Sequence, residues 1–170
     1  MDTSVGVVLL ASENQFPEAG PKNLLPFFHE PVITRCIDRI LDSGIKDIAV
    51  VTGPDGYEVG AALEDYPVCI VVSDSPVSDT RAQVKLGLNA LPRYTTGLII
   101  ANCSKSQACF EDYGFLANVH HRAPQYAVIP GRPLQDSHPA LLPVEMPPTE
   151  LDNIVHLERH LKKIASGVWT

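Results

Sequence analysis

A lysine fixed over the end of a buried strand can hold a phosphate, and the first 26 residues have that layout. Val5 to Ala11 (VGVVLLA) is a continuous Val-rich apolar run, the pattern of a strand buried on both faces. A loop from Ser12 to Pro21 follows. Lys22 then stands just before Leu24-Leu25-Pro26, an apolar anchor that must pack inward. An isolated lysine is ordinarily solvated surface, but one anchored in this way is a good phosphate holder. The four cysteines are Cys36, Cys69, Cys103 and Cys109; they form no CxxC pair and no zinc spacing. Cys36 and Cys69 sit in apolar runs and read as buried small hydrophobes. Cys103 and Cys109 flank a polar turn, where a thiol role stays open. His120 and His121 follow a helix end, where a cation suits the helix dipole. Adjacent histidines do not face one way, so they are not expected to bind metal.

The elements that position these groups alternate between strand and helix. Ile33, Cys36, Ile37, Ile40 and Leu41 recur at helical spacing after Pro31, and Gly44 closes that helix. Lys46 to Thr52 is a second buried strand, Gly53 to Gly56 a turn, and Tyr57 to Asp65 a short helix. Val68 to Val72 is the third strand. Asp79 to Leu91 is a helix with Val84, Leu88 and Leu91 on one face. Gly97 to Ala101 is the fourth strand, Phe110 to Val119 a helix and Tyr126 to Ile129 the fifth strand. Pro139 to Val144 suits an edge strand because of its prolines. Thr149 can cap a last helix reaching about Ala165. Right-handed crossovers then predict an α/β fold of three layers, a mainly parallel sheet with helices on both faces, in one domain over residues 1–170. Ligands in such sheets bind beyond the carboxyl ends of the strands. The candidate positions are therefore Ser12 to Lys22, Thr52 to Gly56, Ser73 to Arg81 and Asn102 to Gln107.

Composition narrows the class. The chain has 170 residues, 45% hydrophobic and 19% charged, which excludes a disordered chain. Lys+Arg 13 against Asp+Glu 20 gives a formal charge of −7, unsuited to nonspecific nucleic-acid binding. No apolar run reaches the ~18 residues of a membrane helix. The start lacks the basic end of a signal peptide. A cytoplasmic protein that binds neither nucleic acid nor membrane is expected. The last helix and Val168-Trp169 could serve a homodimer contact, though core packing explains the helix equally well.

The stretch from Leu9 to Gly53 resembles the opening of the nucleoside-triphosphate transferases. These include the molybdenum-cofactor nucleotidyltransferases (the MobA-like family) and the sugar-phosphate and methylerythritol-phosphate nucleotidyltransferases. Their opening, L-A-A-G-x-S-x-R-M-G-x-x-K-x-L-L, is matched without a gap at Leu10, Ala11, Lys22, Leu24 and Leu25. Pro31, Gly44, Ile45 and Val50-Val51-Thr52-Gly53 continue the match. Val84 to Leu88 looks like the family's S-V-x-x-G-L helix, and Gly97 to Ala101 like the strand leading to its metal-binding aspartate. Ile129-Pro130-Gly131 and His138 to Leu142 look like the late segment of the cytidylyl-type members. The short length and His138-Pro139 favour the molybdenum-cofactor branch. The resemblance implies a Rossmann-like fold, a nucleoside triphosphate (CTP or GTP), magnesium and a phosphorylated small-molecule acceptor. It implies that Leu10, Ala11, Ser12, Glu13 and Lys22 line the nucleotide, with Lys22 catalytic. Asp74 and Arg81 fall where the base- and substrate-contacting loop would lie, His138 near the acceptor, and Asn102 at the metal position.

The departures concern charge. Glu13 stands where the family has a glycine that approaches the triphosphate, and Pro17 where it has an arginine. Glu18-Ala19 replaces methionine-glycine, and Asn102-Cys103-Ser104 replaces D-x-P. Two unit charges about 4 Å apart at an effective dielectric of about 20 interact by about 4 kcal/mol. Glycine to Glu13 and arginine to Pro17 together shift the loop by two negative units against a polyanion, and phosphoryl chemistry depends on positioning and charge stabilisation. Glu13 could instead hold a cation or an amine. Two readings follow: a divergent nucleotidyltransferase, or a catalytically degenerate homologue that binds a ligand or a partner protein.

Overall fold

Side-chain alternation along β1 (Val5–Ala11) divides the protein into two cores. The computed structural model describes residues 3–11, 26–27, 30–54, 56–74, 80–103, 109–124 and 139–144. Val5, Val7, Leu9 and Ala11 face one core; Val8 and Leu10 face the other. The neighbouring strands alternate in step. In β4 (Asp47–Thr52), Ile48 and Val50 join the first core, and Ala49 and Val51 the second. In β6 (Gly97–Asn102), Ile99 and Ala101 join the first, and Leu98 and Ile100 the second.

Helices cover both faces, so the expected three layers are present. The predicted stripe of α1 (Val32–Asp42) buries Ile33, Cys36, Ile37 and Ile40 on the first face. Val59 of α2 (Gly56–Ala62) and Tyr113 and Leu116 of α4 (Phe110–Arg122) join it there. On the second face α3 (Thr80–Ala90) brings Val84 and Leu88 down on the sheet. Gly87 permits that approach, because a Cβ there would lie 2.5 Å from Val8 Cγ1. Gly44 follows the end of α1 with φ +90°, the left-handed conformation a helix-terminating glycine supplies.

The sheet order is β5-β4-β1-β6-β7. β5 (Cys69–Val72), β4, β1 and β6 are parallel, and β7 (Ala140–Pro143) runs antiparallel to β6 at the edge expected for it. From β1 the chain builds outward to β4 and β5. It then crosses back through α3 to place β6 on the other side of β1. The order therefore reverses beside β1, and this marks the carboxyl ends of β1 and β6 as the place where a sheet of this kind is expected to have its binding crevice.

Some expectations are corrected. Cys36 is buried as expected, but Cys69 is exposed, because β5 is the sheet's edge strand. α2 starts at Gly56, inside the stretch read as a turn, and α4 continues to Arg122. A two-stranded ladder of β2 (Pro26–Phe27) and β3 (Glu30–Pro31) was not foreseen; strands of two residues leave no periodicity to read. The strand expected over 126–129 and the helix expected over 149–165 lie outside the described residues.

At the opposite end of the sheet, α4 clamps the start of β1. His120 is fully buried, with Nε2 3.0 Å from Thr96 Oγ1, while Thr96 Oγ1 also donates to the Ser4 carbonyl at 3.1 Å. The ring lies against Gly97, where a Cβ would come within 2.7 Å of it. His121 Nδ1 contacts Thr3 Oγ1. Burial, with a smaller contribution from His121, lowers the pKa of His120 below its ordinary 6.5. In the unfolded chain the ring takes up its proton near pH 6.5. Below that pH the unfolded state binds more protons than the fold, so stability falls as pH drops through about 6.5. Urea unfolding of the native sequence and of His120→Gln at pH 8 and pH 5 checks this. The pH-dependent loss should be smaller in the variant; an equal loss in both would contradict the assignment.

Candidate functional site

The crevice is built by strand ends held level with one another. Leu10 lies opposite Val51 on one side and Asn102 on the other, and Ala11 lies opposite Thr52. The Cys103 N–H donates to the Leu10 carbonyl at 2.9 Å, and the Ser73 N–H to the Thr52 carbonyl at 2.7 Å. These bonds carry the ladders past the last strand residues. They bring Leu10, Ala11 and Asn102, which are 91 to 92 residues apart in the chain, to one edge. Leu10 and Ala11 have buried side chains, so what they offer a ligand is backbone. Asn102 is half-buried at the end of β6.

The other expected residues divide into two groups. Asp74 is exposed beyond the end of β5, on the far side of β4 from β1. Arg81 is half-buried in the first turn of α3. Neither belongs to the Leu10–Asn102 strand pair. Ser12, Glu13, Lys22 and His138 lie outside the described residues.

The two ends of the candidate stretch Thr52 to Gly56 gain a packing role that the sequence reading did not assign them. Thr52 is fully buried, and its hydroxyl donates to the Val71 carbonyl at 3.4 Å. Gly56 opens α2 directly on top of it: a Cβ at position 56 would lie 2.5 Å from Thr52 Oγ1 and 2.6 Å from Val72 Cγ2. The signal was the second glycine of Gly53-Pro54-Asp55-Gly56, which marks close packing as well as a turn.

The thiol of Cys109 has a local use. Cys109 precedes α4, and Asp112 Oδ2 accepts from its backbone N–H at 2.8 Å and from its Sγ at 3.2 Å. Hydrogen bonding to Glu111, with a further contribution from Asp112, raises its pKa and keeps the thiol protonated.

Among the described residues, the donor set at the ends of β1 and β6 does not by itself fit a bound magnesium ion. Asn102 offers a neutral carbonyl oxygen where a carboxylate would be the usual partner. Among the described residues no group of three or more His, Cys, Asp or Glu side chains is placed to hold a metal ion. No helix among them is long and apolar enough to cross a membrane.

Comparison with known proteins agrees with this architecture. A family model described as the MobA-like NTP transferase domain matches residues 7–166. No curated protein sequence matches the chain with significance. Among solved structures, Rv0371c of Mycobacterium tuberculosis H37Rv in complex with manganese is 21% identical, with a TM-score of 0.59 over 69% of this chain and 59% of that one. A nucleotidyl transferase from Methanothermobacter thermautotrophicus is 23% identical, with a TM-score of 0.58 over 69% and 58%. A 4-diphosphocytidyl-2C-methyl-D-erythritol synthase from Anaerococcus prevotii is 13% identical, with a TM-score of 0.66 over 91% and 77%. At these identities the likeness is one of fold. The chain spans about three fifths of the length of the first two.

The packing at Gly56 gives a direct test of the crevice edge. Gly56→Ala forces a methyl group onto Thr52 and Val72 and should cost about 1–3 kcal/mol. Gly60→Ala, in the same helix with only Ile70 Cδ1 at 3.8 Å, should be neutral or stabilise by up to about 1 kcal/mol. Urea unfolding of both variants separates the two; equal effects would show that α2 is not seated on the strand ends.

Proposed function

The chain belongs to the MobA-like NTP transferase domain family, whose model covers most of its length, and from that premise we propose that it binds a nucleoside triphosphate in the crevice where β1 and β6 end. The observation that carries this reading is the register that sets Leu10 and Asn102 side by side where the strand order reverses. In this reading, backbone groups of Leu10 to Ser12 hold the base and phosphates, and Lys22 holds the triphosphate. Asp74 and Arg81 approach from the β5 side, and His138 faces the acceptor. Magnesium arrives as part of the triphosphate complex.

The reaction proposed is nucleotidyl transfer of the molybdenum-cofactor cytidylyl or guanylyl type. A phosphate oxygen of a small-molecule acceptor attacks the α-phosphorus of CTP or GTP, a phosphoanhydride (P–O–P) bond forms as the bond between the α-phosphorus and its bridging oxygen to the β-phosphate breaks, and pyrophosphate leaves. Glu13, Pro17 and Asn102 supply less positive charge and less metal affinity than the family pattern, so transition-state stabilisation is weaker. The neutral amide at the end of β6 favours a second reading, in which the same crevice binds a ligand or a partner protein without turnover.

Thermal-shift titration with CTP, GTP and ATP, each with magnesium at millimolar concentration, tests the proposal. At least one should raise the melting temperature, and Lys22→Ala should weaken its binding roughly ten- to a hundredfold, the loss of one charge-assisted hydrogen bond. No shift with any of the three would overturn the nucleotide reading. Pyrophosphate release with candidate acceptors would count against the binding-only alternative.

A further inference from the structure

Two thiols from distant parts of the chain meet beside the crevice. Cys36 lies on α1 and Cys103 directly follows Asn102 at the end of β6, 67 residues away. Both are buried in the first core, and Cys36 Sγ donates to the Cys103 carbonyl at 3.6 Å.

Their exposure is unequal: Cys36 keeps 5% of its surface accessible and Cys103 none, so Cys36 is the one a peroxide meets first. The remaining cysteines lack this arrangement: Cys69 is exposed on the edge strand, and Cys109 is held by carboxylates.

We propose that Cys36 and Cys103 are a peroxide-oxidisable pair, whose intramolecular disulfide ties α1 to the end of β6 and thereby fixes the edge that carries Asn102. The Cys36 thiolate attacks one peroxide oxygen and the O–O bond breaks, giving a sulfenic acid at Cys36 and one water. The Cys103 sulfur then attacks Cys36 Sγ, the S–O bond breaks, and a second water leaves. The two thiol protons end in the two waters, and hydrogen peroxide is reduced as the two sulfurs are oxidised. Any effect on triphosphate binding rests on the function proposed above; the disulfide itself does not.

The full chain is treated with hydrogen peroxide, its remaining thiols are alkylated, and the disulfides are mapped by peptide mass spectrometry without reduction. The expected product is a peptide pair joined through Cys36 and Cys103, lighter by two hydrogen atoms than the separate peptides and split by dithiothreitol. The oxidised chain should melt roughly 5–10 °C higher, because the crosslink closes a long loop, and Cys36→Ser should show neither the crosslink nor the rise. Cys36 and Cys103 still free at a peroxide dose that fully oxidises Cys69 would overturn the proposal, as would pairing of Cys103 with Cys69 or Cys109. If Cys36→Ser does not fold, the peptide map of the native sequence decides alone. Loss of the crosslink and absence of nucleotide binding are separate readouts, so failure of one proposal does not imitate failure of the other.

Discussion

The fold depends on β1 being buried on both faces and hydrogen-bonded along both edges. Each of its seven residues is buried, and it forms parallel ladders with β4 and β6. A strand with no solvent face cannot use polar side chains for register, so its neighbours must alternate in step with it. They do, and the two cores follow from that alternation. Level strand ends are the same constraint expressed at the carboxyl edge. The bonds from Cys103 to Leu10 and from Ser73 to Thr52 finish ladders whose interior is fixed by packing. The place where a ligand would sit is therefore set by apolar side chains packed inside the two cores.

This separation lets the scaffold persist while its charges change. Glu13, Pro17 and Lys22 come after β1 in the sequence, and Asn102 is the last residue of β6. The Asn102 side chain belongs to neither core. A substitution at Asn102 changes the chemistry offered at the end of β6 without removing a core side chain. The reverse holds at Gly87 and Gly56, where space is set by Val8, Val51, Thr52 and Val72, and a change acts on stability first.

Much of the fold was legible in the sequence because it obeys simple periods. The run Val5 to Ala11 matched β1 to the residue, and the Ile33–Cys36–Ile37–Ile40 stripe with Gly44 described α1 and its end. Cys69 misled because an apolar run does not tell a central strand from an edge strand; only the sheet order places β5 outside. The short β2–β3 ladder had too few residues to show a pattern. Of the candidate site, Leu10, Ala11 and Asn102 could be placed because their strands were readable. The closeness of Cys36 and Cys103 could not, since a contact 67 residues apart along the chain depends on how α1 crosses the sheet.

In the function proposed, the fold keeps the nucleotide site while Glu13, Pro17 and Asn102 weaken its hold on a triphosphate. The most direct measurement is calorimetric titration of the folded triple variant Glu13→Gly, Pro17→Arg, Asn102→Asp with magnesium and the triphosphate that the native chain binds best. Affinity should rise by at least about tenfold, the equivalent of 1.4 kcal/mol. An unchanged affinity in a variant of native stability would place the charge-handling site elsewhere and contradict the account.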